Sequence, residues 1–274
     1  MQWRNQGQST NIEDRRGMSG KGLAIGGGGI GTLLLVLVLW MCGADPSTLL
    51  NLLNGGGSAP ATQTQPQQNP AQNDENKKFV GFVLKSTEDA WNEILPQQAG
   101  IRYTEPKLVL FTNQVQSACG VAGSSTGPFY CPGDEKLYLD FGFFNELRNE
   151  FRAPGDFAEA YVIAHEVGHH VQDLLGNMKG GGSNQQSIAI ELQADCYAGI
   201  WGNYVQKKGI LEVGDVQEAI RAAQAVGDDA IQKRTQGYVV PDSFTHGTSE
   251  QRVQWFTRGF QSGDMRQCDT SGRR

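Results

Sequence analysis

The chain has 274 residues, 38% of them hydrophobic, and a formal net charge of −6. That length suits one or two domains. An acidic chain lacks the electrostatic footprint of a nucleic-acid binder, so no DNA or RNA partner is expected.

Residues 1–21 read as a short polar tail. Residues 22–44 carry no charged side chain. Their first half is Gly-rich, and the strong apolar run is Thr32 to Cys42. At about 1.5 Å per residue the stretch could cross a hydrocarbon core of about 30 Å. Arg15, Arg16 and Lys21 precede it and Asp45 follows it. The positive-inside rule then predicts one transmembrane helix with a cytoplasmic N-terminus and the bulk of the chain periplasmic or extracellular. The alternative is a cleaved signal peptide ending near Cys42-Gly43-Ala44. A long charged leader, and Trp40-Met41 before Cys42, favour the retained anchor. Residues 45–76 are rich in Gln, Asn, Pro and Gly and predict a disordered linker. Within them Ser47 to Leu53 reads either as a short interfacial helix or as no element.

Residues 77–274 have the composition and length of one folded domain. Ser86 or Thr87 reads as an N-cap for a helix running to Leu95. Lys107 to Thr112 and Lys136 to Asp140 read as strands from their aliphatic and aromatic content. Asp156 with Glu159 has capping-box spacing, and Gly176 sits where that helix should stop. A second helix is expected from about Gln185 to Lys208, stopped by Gly209. Further starts fall at Asp215, with Glu218, and at Thr248, with Gln251. The fold class is α+β, a small sheet early and several helices later, preceded by the single transmembrane helix.

Four of the five cysteines lie in the domain and suit an oxidising compartment. Cys119 and Cys131 enclose a Gly/Ser/Pro-rich loop and are expected to pair. Cys196 and Cys268 pair by elimination, or else remain buried thiols.

His165-Glu166-Val167-Gly168-His169-His170 matches the HExxH pattern of a metal-binding helix. At about 100° per residue, with His165 at 0°, His169 falls near 40° and Glu166 near 100°. Ala160, Ile163, Ala164, Val167, Val171 and Leu174 fall on the other side, so one face packs and the other carries the polar groups. Two imidazoles one turn apart can hold one tetrahedral zinc, with Glu166 beside its water. The bland alternative is an amphipathic helix with surface histidines. Three of only four histidines in this hexapeptide argue against it. A catalytic zinc needs a third ligand and an open position. Glu191 and Asp195 are i,i+4 on the next helix. Glu191 can be that ligand, and Asp195 can hold the outer ring nitrogen of a ligand histidine. Two solvated carboxylates are the competing reading.

The HEVGH helix followed by Glu191-Leu192-Gln193-Ala194-Asp195 resembles the gluzincins. The internal Gly and the Glu-x-x-Ala-Asp form look more like membrane-associated CAAX-processing and heat-shock metallopeptidases. The whole chain is most similar to the bacterial neutral zinc metallopeptidases of the YpfJ-like type. That likeness rests on Asn11 to Gly17, Cys119-Gly120, Gly127 to Pro132, Tyr138-Leu139-Asp140, the HEVGHH helix, Glu191 to Cys196 and His246 to Arg252. It implies a zincin-like domain that hydrolyses peptide or protein substrates, with Zn2+ on His165, His169 and Glu191 and with Glu166 as catalytic base. His246 resembles the late histidine segment of gluzincins, as an oxyanion donor, or is a turn residue before a cap. Arg252 either orients a carboxylate or is a surface charge. His170 lies off the metal axis and reads as supporting the helix.

The expected activity is that of a membrane-anchored zinc endopeptidase. A zinc-binding scaffold with little turnover is the rival. Two further readings stand beside these. The Tyr138 strand could bind extended peptide at a sheet edge, against a plain core strand. The Gly-rich segment 179–183 could form a lid, against a plain connection. No motif encodes the substrate or the oligomeric state.

Overall fold

The computed structural model describes residues 1–17, 70–178 and 183–270. A four-stranded sheet has the order β1 (Ile12–Asp14), β2 (Lys107–Phe111), β6 (Lys136–Asp140), β5 (Phe129–Cys131). β1, β2 and β6 run parallel, and β5 is antiparallel to β6. A separate hairpin joins β3 (Gln114–Ser117) to β4 (Gly120–Gly123). Seven α-helices accompany the strands among the described residues: α1 (Pro70–Ala99), α2 (Gly142–Asn149), α3 (Asp156–Leu174), α4 (Asn184–Lys207), α5 (Asp215–Ala225), α6 (Asp228–Gln236) and α7 (Ser249–Ser262). The α+β class holds, with a mixed sheet.

The membrane topology does not. Residues 1–17 belong to the same compact unit as residues 70–274. Ile12, Glu13 and Asp14 pair with Leu108, Val109 and Leu110. The Met1 ammonium lies 2.9 Å from Asp156, at the start of α3, and 3.2 Å from Asp215, at the start of α5. A strand hydrogen-bonded to β2 lies on the same side of any membrane as β2. The N-terminal segment is therefore no cytoplasmic tail opposite an exported domain. Among the described residues no helix is long and apolar enough to cross a membrane. Residues 22–44, assigned to the anchor, lie outside the described residues, as do 45–69 and the Gly-rich segment 179–182. The single-pass anchor, the membrane as a partner and the divided localisation are corrected accordingly.

The sequence placed the first helix too late. α1 begins at Pro70, inside the expected linker, and passes Ser86 and Thr87 unbroken. Their hydroxyls donate 2.7 Å bonds back to the Val83 and Leu84 carbonyls, so neither caps a helix start. Gly100, at φ +69°, ends the helix. Two expected capping boxes are also absent. Gly155 and Gly214 occupy the N-caps of α3 and α5 without a side-chain cap. Glu159 instead pairs with Arg148, and Glu218 accepts from the Phe157 amide. Thr248 and Gln251 do form the reciprocal capping box that starts α7.

α3 is buried on nearly every side. Its apolar residues join a core that includes the fully buried Trp91, Phe144, Phe157 and Trp201. Its polar face is covered by α4. The two helices meet at Gly168, where an added Cβ would stand 2.9 Å from the Ala194 carbonyl oxygen. Only a residue without a side chain lets them come this close, which sets Glu191 and Asp195 opposite His165 and His169. Cys119 bonds Cys131 and Cys196 bonds Cys268. The first ties the β3–β4 turn to strand β5, and the second ties α4 to the turn Met265–Cys268 after α7. The Tyr138 strand, β6, lies between β2 and β5 and is not at an edge. The free edge near the helices belongs to β5.

Candidate metal centre

His165 and His169 project one turn apart from α3, and Glu191 reaches them from α4. The Nε2 of His165 is 3.1 Å from Glu191 Oε2, and the Nε2 of His169 is 3.5 Å from Glu191 Oε1. Ligand atoms from all three residues lie within 4.8 Å of one another. Both outer ring nitrogens are occupied. Asp195 Oδ1 lies 2.9 Å from His165 Nδ1, and Gln172 Oε1 lies 2.9 Å from His169 Nδ1. Each carbonyl-type oxygen needs a hydrogen on Nδ1, so each Nε2 keeps its lone pair for a cation.

The electrostatics fit a cation at that point. Burial would lower both imidazoles, but the charge of Asp195 with its hydrogen bond, aided by Glu191, raises His165 to about 10. His169 moves up as well, against burial, because of Glu191. Burial would raise Glu191, yet the two rings pull it well below the usual carboxylate range. The field that favours protons on these rings equally favours a metal ion at Nε2. Burial pushes Glu166 upward, partly offset by His169 and His165, and the Tyr130 amide of β5 also bonds it.

Asp195 is fully buried and held from three sides. Arg252 Nε donates to Oδ2 at 2.8 Å, its Nη2 donates to Oδ1 at 2.9 Å, and the Tyr161 hydroxyl donates to Oδ1 at 2.5 Å. Arg252 is therefore no surface charge. It is 5% exposed and links α7 to the His165 support. Sequence reasoning weighed it without seeing this partner, and it missed Tyr161 and Gln172. Both stand at helical spacing from a histidine, Tyr161 four residues before His165 and Gln172 three after His169, which was the available signal. Removing the guanidinium would leave the buried Asp195 carboxylate with only the Tyr161 hydroxyl and the His165 ring as partners. Arg252→Met is expected to cost about 3–5 kcal/mol of stability by denaturant titration. It should also weaken metal binding about 10–100-fold in a chelator competition.

His170 turns away from this centre. Its Nε2 donates to the Thr104 carbonyl at 2.6 Å, and its ring meets the Tyr103 and Tyr130 rings edge-on. His246 lines the same cleft as the cluster, from the loop between α6 and α7. Asp228 organises that loop by accepting the amides of Thr245, His246 and Gly247. Its other oxygen lies 3.1 Å from His246 Nδ1. The cleft holds about 620 Å³ and runs from the two histidines past β5 to α2.

A family model described as "Putative neutral zinc metallopeptidase" matches residues 1–271. The chain belongs to that family. It is 45% identical to the uncharacterized protein YpfJ of Escherichia coli K12, over all of this chain and 99% of that one. It is 44% identical to an uncharacterized protein of Mycobacterium tuberculosis H37Rv, covering 68% of this chain and 67% of the relative. No solved structure matches. Among the described residues two groups of side chains could hold a metal ion: His165, His169 and Glu191, and the all-carboxylate Asp156, Asp215 and Glu218.

Proposed function

We propose that the protein is a zinc-dependent peptidase, with His165, His169 and Glu191 as metal ligands and Glu166 as the general base. The observation that carries this is the convergence of two imidazole Nε2 atoms and a carboxylate beside an open cleft, with a second carboxylate one residue from the first ligand. Two nitrogens and one oxygen suit zinc among the first-row metals. Three protein donors leave the open position that distinguishes a catalytic zinc from a closed structural one. Zinc in such a site supplies Lewis-acid polarisation of a carbonyl and lowers the pKa of water to about 7.

The chain's own residues do the rest. Glu166 takes a proton from the attacking water and delivers it to the leaving amine, and its burial keeps it a stronger base than a solvated carboxylate. Asp195 and Gln172 hold the ligand rings in one tautomer and orientation. His246 has its Nδ1 engaged by Asp228, which leaves Nε2 to face a ligand in the cleft. A hydrogen bond from that ring would stabilise the developing oxyanion. The outer edge of β5, beside Glu166, is where an extended substrate chain could add a strand.

The test is removal and return of metal. The stripped protein should cleave nothing in a broad peptide-library digest, and stoichiometric zinc should restore cleavage. One tightly bound zinc with no cleavage of any peptide would favour a binding or scaffold role instead.

A further inference from the structure

We infer that Glu146 reads a positive charge on the substrate, so that the site selects peptides with a lysine or arginine side chain, or a free α-amino group, within reach of α2. This rests on the peptidase reading of the same cleft. Three carboxylates line it: Glu166, Glu191 and Glu146. The first two are engaged by the catalytic arrangement. Glu146 takes no part in it, and among the described residues its carboxylate has neither a hydrogen-bond nor an ion-pair partner.

Its surroundings are unusual for a lone carboxylate. Glu146 is half-buried and one helical turn from Phe143, on the α2 face that borders the cleft. Phe143 and Phe151 stand 6.0 Å apart beside it. The nearby cation in sequence, Arg148, turns instead to Glu159 and Asn145. Arg234 stacks 4.1 Å from the centre of the Phe151 ring and makes no ion pair with Glu146. Burial and the charges of Asp140 and Glu150 push the Glu146 carboxyl up, and no cation offsets them. Asp140 itself is fully engaged, by the Asn113 and Gly142 amides and the Ser124 hydroxyl. The end of the cleft is thus an acidic spot walled by aromatic rings. A side chain with an apolar stem and a cationic tip satisfies both features: the stem lies along Phe143 and Phe151, and the tip meets the carboxylate.

The test uses the zinc-loaded full chain and quenched fluorescent peptides in which each position in turn is Lys, Arg, norleucine or Glu. Each is made with a free and an acetylated N-terminus. Lys and Arg at one position should exceed norleucine by about 10–100-fold in kcat/KM, the scale of a charge-assisted hydrogen bond. The ratio should collapse towards one in Glu146→Gln and turn to favour Glu in Glu146→Lys. A preference that follows the free N-terminus rather than the side chain identifies the α-amino group as the cation read. An unchanged ratio in Glu146→Gln, or no preference in the native protein, overturns the inference. The same peptides are also bound to zinc-loaded Glu166→Gln and followed by anisotropy. If no peptide is cleaved, the peptidase reading fails, and the binding ratio between basic and neutral peptides still decides for or against Glu146.

Discussion

Glu166→Gln is expected to lower kcat for peptide hydrolysis by about 10²–10⁴-fold while zinc binding stays close to native. Glu166 is not among the three donors that converge, so the amide leaves those donors in place. The amide can still accept the Tyr130 amide hydrogen, so the contact between α3 and β5 survives. What it cannot do is take a proton from water. The measurements are zinc stoichiometry, chelator competition, and turnover of any peptide found in the library digest. Loss of metal together with turnover would make Glu166 a structural residue. Full turnover in the variant would remove the proposed mechanism. A small fall in metal affinity is acceptable, because one carboxylate charge fewer weakens the field that both rings feel. KM should move little if the residue acts on the reacting water rather than on substrate binding.

The metal helix was legible because its signal is local. Helical period alone places His165, Glu166 and His169 on one side, and i,i+4 spacing alone places Glu191 over Asp195. What was not legible depends on partners distant in sequence. β1 is three residues long, two of them charged, and becomes a strand only because β2 supplies its hydrogen bonds. A segment that short, placed before an uncharged stretch, reads as a leader. The same limit explains Asp156 and Glu159, and Asp215 and Glu218. Their spacing is that of a capping box, but their carboxylates are used by Met1, Arg148 and Phe157 from elsewhere in the chain. Arg252 shows it most clearly. On its own helix it is one charge after a cap, and its burial follows only once Asp195 arrives from α4. β6 was found as a strand, but its interior place in the sheet could not be read without its neighbours.

A second large effect is expected at the crossing of α4 and α7, the helices that carry Asp195 and Arg252. Their backbones touch. A Cβ on Gly259 would lie 1.9 Å from the Cys196 carbonyl oxygen, and one on Gly199 would lie 2.1 Å from the Phe256 carbonyl oxygen. Those neighbours are main-chain atoms inside helices, so no side chain can swing aside to make room. A larger residue forces the helices apart by more than a methyl group can be absorbed. Gly259→Val is therefore expected to exceed the roughly 1–3 kcal/mol typical of overpacking, and to leave little folded protein at 37 °C. Gly259→Ala is the milder probe, because Ala also gains helix propensity of about 1 kcal/mol over Gly, which offsets part of the clash. The consequence reaches the metal. Arg252 and Gly259 sit two turns apart on α7, so a shift at the crossing draws the guanidinium off Asp195 and loosens the His165 ring. Gly259→Ala should thus lose zinc affinity along with stability, although the residue is remote from the metal ligands. Thermal unfolding with and without zinc measures both. An alanine variant that keeps native stability and native zinc affinity would mean that the close approach of these helices is incidental to the site.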